Sequence, residues 1–534
     1  MSSNTSAHIQ TTQSAPHRTW ISTHLPQTVA VVLTLLVTAI RVWFGRHITF
    51  CGTPDSCAYL SLGESLSHHH GFTQRFLYQY QFVSTHLPSH GIEYWRPGIS
   101  LLLLLAQPFG GVTLHSSIVV TNLAAIALSL AAWKIAVDAT ANRRIACAAY
   151  LLCLVLPSVW SSSITPDSAI YYGAFAAWFL ALFTVRFRSY TADAVALLCL
   201  AGVNLIRNDA ILLFVPLVVV LWLRRRSAQP RGSSTPYSAL MVACFFAAML
   251  PMTLLQHAVL GKLSAGPTSH VLYLTGLSDL GRYGGPPLTL HTLLASGIGK
   301  LIKLRITTLP GIAYHFLFLQ IGFSILFLAT WGRWRRNTHP STPLPEAIGG
   351  LTFATVLLAM YGLILPAIGS FSALKSLTGL LPLLAVVIVV CVYNASESPA
   401  TATTLAAMTI LLYIAFGISQ DRRDQTELNK TGAEDRLIAT WLAAHGADTL
   451  HSLIMTKDAA QFSETTGYDA IPVPSNGLLA TQAAASDLDA NYILLDQSDL
   501  TPTPDAVQST LHATHMDQIP ATTTYVLTMT SPPH

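Results

Sequence analysis

Two Pro-Asp-Ser tripeptides place an acid where chemistry could be done: Asp55 in TPDSCAYLSLGESLSHHHGF and Asp167 in SSSITPDSAIYY. A carboxylate at such a point can take a proton from an attacking hydroxyl or hold a divalent cation, and partial burial would raise its pKa toward a useful value. The same tripeptide suits a helix N-cap, so a capping role stands beside the chemical one at both sites. Glu64, later in the first segment, reads as a solvated helix residue. Three cations could serve an anionic substrate. Arg207, in GVNLIRNDAILLF, either pairs with Asp209 or meets a group such as a lipid phosphate. Arg96, in EYWRPG, either holds that phosphate or anchors its segment by snorkelling beside two aromatics. Lys375, in SFSALKSLTGLLPLL, stands at the start of an apolar run. Tyr59, one helical turn beyond Asp55, completes the substrate-binding set of Arg96, Arg207, Lys375 and Tyr59.

The triplet His68–His70, with His86 and His90 nearby, has metal-binding side chains, but consecutive histidines cannot all face one ion. The identity of any metal therefore stays open, and a divalent cation is the one cofactor these residues suggest. Of seven cysteines, Cys147, Cys153, Cys199, Cys244 and Cys391 lie in apolar runs as small hydrophobes. Cys51 and Cys57 flank Asp55 in CGTPDSC, where Gly52 and Pro54 permit a turn tight enough for a disulfide. The alternative leaves two free thiols, with Cys57 pointing into the core from the helix after Asp55.

What must position these residues is set by composition. Hydrophobic residues make up 51% of the 534-residue chain and charged ones only 10%, with a mean hydropathy of +0.49; a soluble domain carries roughly a quarter charged residues. The net charge of +4 is small and the basic residues are scattered in short clusters, which argues against nucleic acid as a partner. About eleven apolar runs approach membrane-spanning length: 27–44, 115–136, 145–161, 168–186, 192–206, 209–223, 237–258, 309–330, 347–368, 374–393 and 402–418. Residues 1–26 are polar and lead into the first run without a small-residue cleavage pattern, so that run is expected to remain as an anchor. The segment 97–109 is short and proline-bounded, which favours an interfacial or re-entrant helix.

Leaving 97–109 out of the span count places Lys134, Arg143, Arg144, Arg186, Arg188, Arg224, Arg225, Arg226, Arg231, Arg333, Arg335 and Arg336 on the side of Arg18 and the N-terminus. That side is the cytoplasm by the positive-inside rule. A long first loop (45–114), a Gly- and Pro-rich loop (259–308) and the tail 419–534 then face outward, together with Asp55, Asp167, Arg96, Arg207 and Lys375. The tail is polar and alternates helix-like segments (Ala433–His445, Leu478–Leu488) with strand-like ones (Leu450–Met455, Tyr492–Leu495, Thr524–Met529), the pattern of a small soluble α/β domain.

The order of PDSCAYLSLGESL, HHHGF, YWRPGISLLLLLAQPFGG, LCLVLPSVW, ITPDS, LIRNDAILL and LKSLTGLLPLLAVV, closed by a tail ending in ANYILLD, resembles the GT-C membrane glycosyltransferases. More narrowly, it resembles the glycosyltransferase-39-like group that includes protein O-mannosyltransferases and lipid A aminoarabinose transferases. The resemblance implies that Asp55 is the first-loop acid that activates the acceptor or lies at a metal site, and that Asp167 is the acid of the second outer loop. Arg96 falls where members carry a basic residue before a double proline, here Pro97-Gly98, and Arg207 falls on the basic residue of the fifth-to-sixth span turn. Trp95 stands where some members carry an acid, which weakens the case for a metal there.

The expectation is a polytopic α-helical membrane protein with about eleven transmembrane helices, GT-C-like, and a small C-terminal exoplasmic α/β domain. It is divided into a cytoplasmic tail 1–26, a catalytic membrane domain 27–418 and the domain 419–534. Its expected place is the inner (plasma) membrane, with a periplasmic or otherwise exoplasmic C-terminus. Its expected work is inverting transfer of a hexose or pentose from a polyprenyl-phosphate donor to a lipid, glycan or protein acceptor. A membrane transporter or a non-catalytic scaffold is the alternative; a transporter would show paired repeats and broken helices at mid-membrane depth. Impermeant thiol reagents are expected to label single cysteines placed within 419–534 on intact cells. Labelling only after lysis would shift the span count by one and move the acids to the wrong side.

Overall fold

In the computed structural model the described residues are 20–81, 85–184, 190–226, 235–261, 271–319, 345–365, 369–396, 398–500 and 503–529. Arg18, Arg186, Arg188, Arg231, Arg333, Arg335 and Arg336, and the end of the expected run 309–330, lie outside them. Helices dominate. Among the described residues, five are long and apolar enough to cross a membrane: Leu25–Gly45, Leu114–Thr140, Thr235–Leu260, Ser372–Ala395 and Pro399–Ala444. Shorter apolar helices at Ser168–Phe183, Tyr190–Ile206, Asn208–Leu223 and Gly350–Ile364 pack among them. The expected short segment is a helix at Gly98–Leu103 tightening to a 3₁₀ turn at Leu104–Phe109, and left-handed Gly110 ends it.

Local sequence explains where helices begin and stop. Thr113 caps the helix Leu114–Thr140 and Ser116 returns a bond to the Thr113 backbone, a reciprocal capping box. Asn142 caps Arg143–Val155, and Pro157 opens the next short helix after Leu156 leaves helical geometry. Ser398 caps the helix Pro399–Ala444 with Pro399 at its first position. That helix is 46 residues long and passes unbroken through positions 418 and 419. The expected separate helix Ala433–His445 is thus its last turns. Continuity follows from composition, because DRRDQTELNKTGAEDRLIATWLAA holds strong helix formers and its single glycine is buried in a packing contact.

The bundle is drawn together at a few points of close approach. At Gly417 on the long helix, a Cβ would fall inside the indole of Trp160, a fully buried ring. Arg41 of the first helix lies over the same ring, 4.5 Å from its centroid, and donates from Nη2 to Leu154 O at 2.6 Å. At Gly98 a Cβ would stand 2.6 Å from the Leu205 carbonyl, so only glycine lets this helix touch the end of Tyr190–Ile206.

Beyond the long helix lies a five-stranded mixed sheet in the order 469–472, 453–456, 492–496, 524–529, 513–518, parallel across the first three strands and antiparallel across the rest. The strand expected at Leu450–Met455 begins at Leu453, after a turn. Strands Asp469–Pro472 and Ala513–Gln518 were not foreseen; the first is only four residues long and the second, ATHMDQ, has no alternating apolar pattern. The edge of the sheet is covered by the first loop. Phe76 bridges to Ala470 in parallel, Leu77 N donates to Ala470 O at 3.0 Å and Ala470 N donates to Arg75 O at 3.1 Å. Leu77 and Tyr80 enter the same hydrophobic cluster as Met455, Ile471, Ile493 and Leu527. The loop and the sheet therefore share one core, against which Tyr283 also packs, and nearby Leu280 O accepts from Tyr80 N.

Gly417→Val is expected to lower the thermal stability of the detergent-solubilised protein by about 1–3 kcal/mol or more, since overpacking here meets a ring with no room to move. Scanning fluorimetry against wild type measures it.

Candidate active site

Asp55 sits in the first turn of the helix Pro54–Ser67, and the cap of that helix is Thr53, whose side chain accepts from Ser56 N. The capping reading of Asp55 is thereby corrected. A proline at the first helical position pushes the cap one residue back, and the Asp55 carboxylate is left to look elsewhere. Its Oδ1 accepts from Trp95 Nε1 at 2.9 Å, and its Oδ2 accepts from Lys375 Nζ at 2.8 Å. Asp167 does both jobs: Oδ1 accepts from Ala169 N at 2.8 Å at the head of Ser168–Thr184, while Oδ2 lies 2.8 Å from the same Lys375 Nζ. One ammonium therefore bridges two acids drawn from distant parts of the chain.

Alongside lies a second group. Arg207 Nε reaches both oxygens of Asp209 at 3.2 Å, and its Nη2 donates to Tyr361 Oη at 3.2 Å and to Ser372 O at 3.3 Å. Asp209 Oδ2 accepts from Tyr361 Oη at 2.7 Å and also from Ser376 Oγ. Arg207 thus takes the ion-pair alternative in this state. Arg96 differs. Its Nε donates to Asn208 Oδ1, and among the described residues no carboxylate pairs with it. Burial pushes the Arg96 guanidinium down to about 10, which leaves it charged at neutral pH. Among the described residues, Lys375 and Arg207 in this site are paired with carboxylates, whereas Arg96 is not. Tyr59 is buried one turn after Asp55, within electrostatic reach of Asp55, Lys375, Arg207 and Asp167.

The carboxylate of Asp55 feels opposing influences. Desolvation raises its pKa, but the charge and hydrogen bond of Lys375, the Trp95 donor and the charge of Arg207 together outweigh it and hold the carboxyl below its ordinary value. At 30% exposure Asp55 is also the most open of the three bridged side chains, against 19% for Lys375 and 11% for Asp167.

Cys51 and Cys57 are joined by a disulfide with Cα atoms 5.0 Å apart. Between them Gly52 has φ +97°, and a Cβ there would meet Thr165 Cγ2 at 3.0 Å, so the Asp55 loop lies directly on the Asp167 loop. A divalent cation does not fit the two acids as they stand. The oxygens that would face it already hold the Lys375 ammonium, and among the described residues no three His, Cys, Asp or Glu side chains gather to hold a metal. The triplet His68–His70 lies in an exposed turn after the Asp55 helix, with His69 at φ +63°.

Sequence reasoning passed over Trp95 as a bond to Asp55, and it missed Asn208, Tyr361 and Ser376. Ser376 follows Lys375 directly, a signal within reach. Tyr361 lies in a π-helical turn, Met360–Ile364, at the end of an apolar run, where nothing in the residue pattern marks it.

No protein-family profile and no curated protein matches this sequence. Solved structures do. The chain is similar to ArnT from Cupriavidus metallidurans bound to undecaprenyl phosphate, at 12% identity over 96% of this chain and 100% of that one, with a TM-score of 0.59. It is similar to the apo oligosaccharyltransferase of Archaeoglobus fulgidus at 11% identity over 90% of this chain and 70% of that one, with a TM-score of 0.52. The archaeal oligosaccharyltransferase AglB, in complex with an inhibitory peptide and a dolichol-phosphate, aligns at 10% identity over 90% and 70%, with a TM-score of 0.51. At such low identity the likeness shows the fold alone: the chain shares the fold of these solved structures.

Replacing Lys375 by Met is expected to move the acid limb of the pH–rate profile upward. As a general base, Asp55 would act only when ionised. Its depressed pKa keeps it so at pH values below the ordinary carboxylate range, and any stability from its ion pair is likewise lost only as pH falls through that depressed value. Without the ammonium, desolvation dominates and ionisation needs higher pH. An acid limb that stays in place would mean that another group sets it.

Proposed function

We propose that this protein is a membrane glycosyltransferase that moves a sugar from a polyprenyl-phosphate carrier to an acceptor hydroxyl, with Asp55 as the base. The observation that carries the reading is the Asp55–Lys375–Asp167 bridge in a chain whose fold matches that of ArnT bound to undecaprenyl phosphate. The Arg96 guanidinium, free of any carboxylate among the described residues, supports a phosphate partner on the same side of the site.

In this mechanism the carrier tail lies in the bilayer and its phosphosugar enters beside Arg96 and Lys375. The acceptor hydroxyl approaches Asp55, which takes its proton as the oxygen attacks the anomeric carbon from the face opposite the phosphate. The carbon–oxygen bond to the phosphate breaks and inversion results. Charge growing on the departing phosphate is met by Arg96 and by Lys375, which can lean from Asp55 as the acid gains its proton. Arg207, held by Asp209 and Tyr361, adds positive potential without moving. Asp167 keeps Lys375 between the two reactants.

The same reading orients the chain. About eleven spans, an N-terminus in the cytoplasm and an exoplasmic α/β tail put the bridge at the outer surface of the inner membrane. Hexose and pentose are distinguished by assay with a panel of undecaprenyl phosphosugars, and the acceptor class by offering lipid, glycan and protein acceptors in turn.

Asp55→Asn is expected to cut transfer by about 100- to 10,000-fold. It keeps the Trp95 contact and, because Thr53 is the cap, leaves the helix start unchanged. Release of undecaprenyl phosphate by purified protein gives the rate, and binding of undecaprenyl phosphate by native mass spectrometry should persist. Near-normal release by a folded Asp55→Asn protein would refute the role of the base.

A further inference from the structure

The chain that delivers Asp55 to the site is held from outside by the long helix. Between the first helix and the disulfide, the chain leaves a turn at His47 and runs to a bend at Phe50; Ile48 and Phe50 are buried, while Thr49 faces the helix Pro399–Ala444. Every polar atom of Thr49 is engaged there. Its N and Oγ1 donate to Asn429 Oδ1 at 2.8 and 3.0 Å. Its O accepts from Arg436 Nη1 at 3.2 Å, and its Oγ1 accepts from Arg436 Nη2 at 3.1 Å. Asn429 Nδ2 also donates to His47 O at 2.8 Å, so one amide bonds two residues of the segment through both its oxygen and its nitrogen.

Between these two residues, on the same helix face, lies Gly432. A Cβ there would meet Phe50 Cβ at 3.0 Å and Thr49 O at 3.3 Å, so its absence lets this segment lie against the helix backbone. A second hold comes from the helix Ala459–Thr466, where Gln461 Nε2 donates to Gly52 O at 3.1 Å inside the disulfide loop. None of these residues touches Asp55. All of them fix the few residues whose path determines where Asp55 stands, and Asp55 must meet Trp95 and Lys375 at once.

Resting on the transferase reading above, we propose that Asn429 and Arg436 are positioning residues for Asp55, acting through Thr49. The segment beyond the last apolar stretch is thereby a working part of the active site. A site held to within a fraction of an ångström loses rate steeply when its support loosens.

The test compares wild type with the Asn429→Ala/Arg436→Ala double variant, full length in nanodiscs. Hydrogen–deuterium exchange over residues 46–57 is expected to quicken about tenfold or more, with strand 492–496 unchanged. With the undecaprenyl phosphosugar panel, kcat should fall about 10- to 100-fold while the donor KM holds within about twofold. Added to Asp55→Asn, the double substitution should cost nothing further, because the base it positions is already gone. Unchanged exchange over 46–57, or an equal further loss in the Asp55→Asn background, overturns the proposal. Should the double variant fail to fold, Thr49→Val deletes only the hydroxyl; faster exchange and lower kcat support the proposal, and wild-type values overturn it. If wild type transfers nothing from the panel, the transferase reading fails by itself, and the exchange result still decides whether the clamp exists.

Discussion

A single ammonium held between two carboxylates is the constraint around which this structure is arranged. Lys375 comes from near the end of the helical bundle, Asp167 from its middle and Asp55 from the first loop. Gathering them in a partly desolvated seam is tolerable only because the charges offset one another, and because Trp95 and Ala169 N satisfy the remaining oxygens. Arg207 and Asp209 repeat the arrangement beside it, with Tyr361 and Ser376 completing the bonds of the acid. The site is thus preorganised and charge-balanced. Among the described residues, Arg96 is a cation of the site that no carboxylate pairs with.

Such an arrangement demands that helices and loops meet closely, and glycines mark where they do. Gly98 lets the short helix reach the carbonyl of Leu205, which carries Arg96 to Asn208 and the Arg207 turn. Gly52 lays the Asp55 loop on Thr165, two residues before Asp167. Gly417 seats the long helix on Trp160, and fifteen residues later Gly432 lets the same helix accept residues 47–50. Packing and chemistry are coupled through these contacts, because each removes the bulk that would hold two site-bearing elements apart.

The segments outside the apolar helices do not hang from the bundle as appendages. The first loop bridges to the edge of the five-stranded sheet at Phe76 and supplies two side chains to its core, while the long helix runs without a break from the apolar bundle toward that sheet. A continuous helix transmits position where a flexible linker would not. This is why residues far along the chain can bear on the geometry of a carboxylate near its beginning.

Much of this was legible in the residues themselves. Apolar runs with few charges require helices in lipid, since backbone groups have no other partner there. The two Pro-Asp-Ser sites, Arg207 beside Asp209, and Lys375 at the head of a run were visible by type and position, and the spacing of Cys51 and Cys57 permitted the bond they form. The sequence could not decide what each acid faces. A carboxylate after proline caps a helix or leaves it by the placement of one neighbour, and Thr53 took that role from Asp55. That Lys375 bridges both acids, that Trp95 bonds to one of them, and that Asn429 holds Thr49 are contacts between residues far apart in the chain. Only the packing of helices against one another sets which distant side chains meet, so only the tertiary structure could assemble the site.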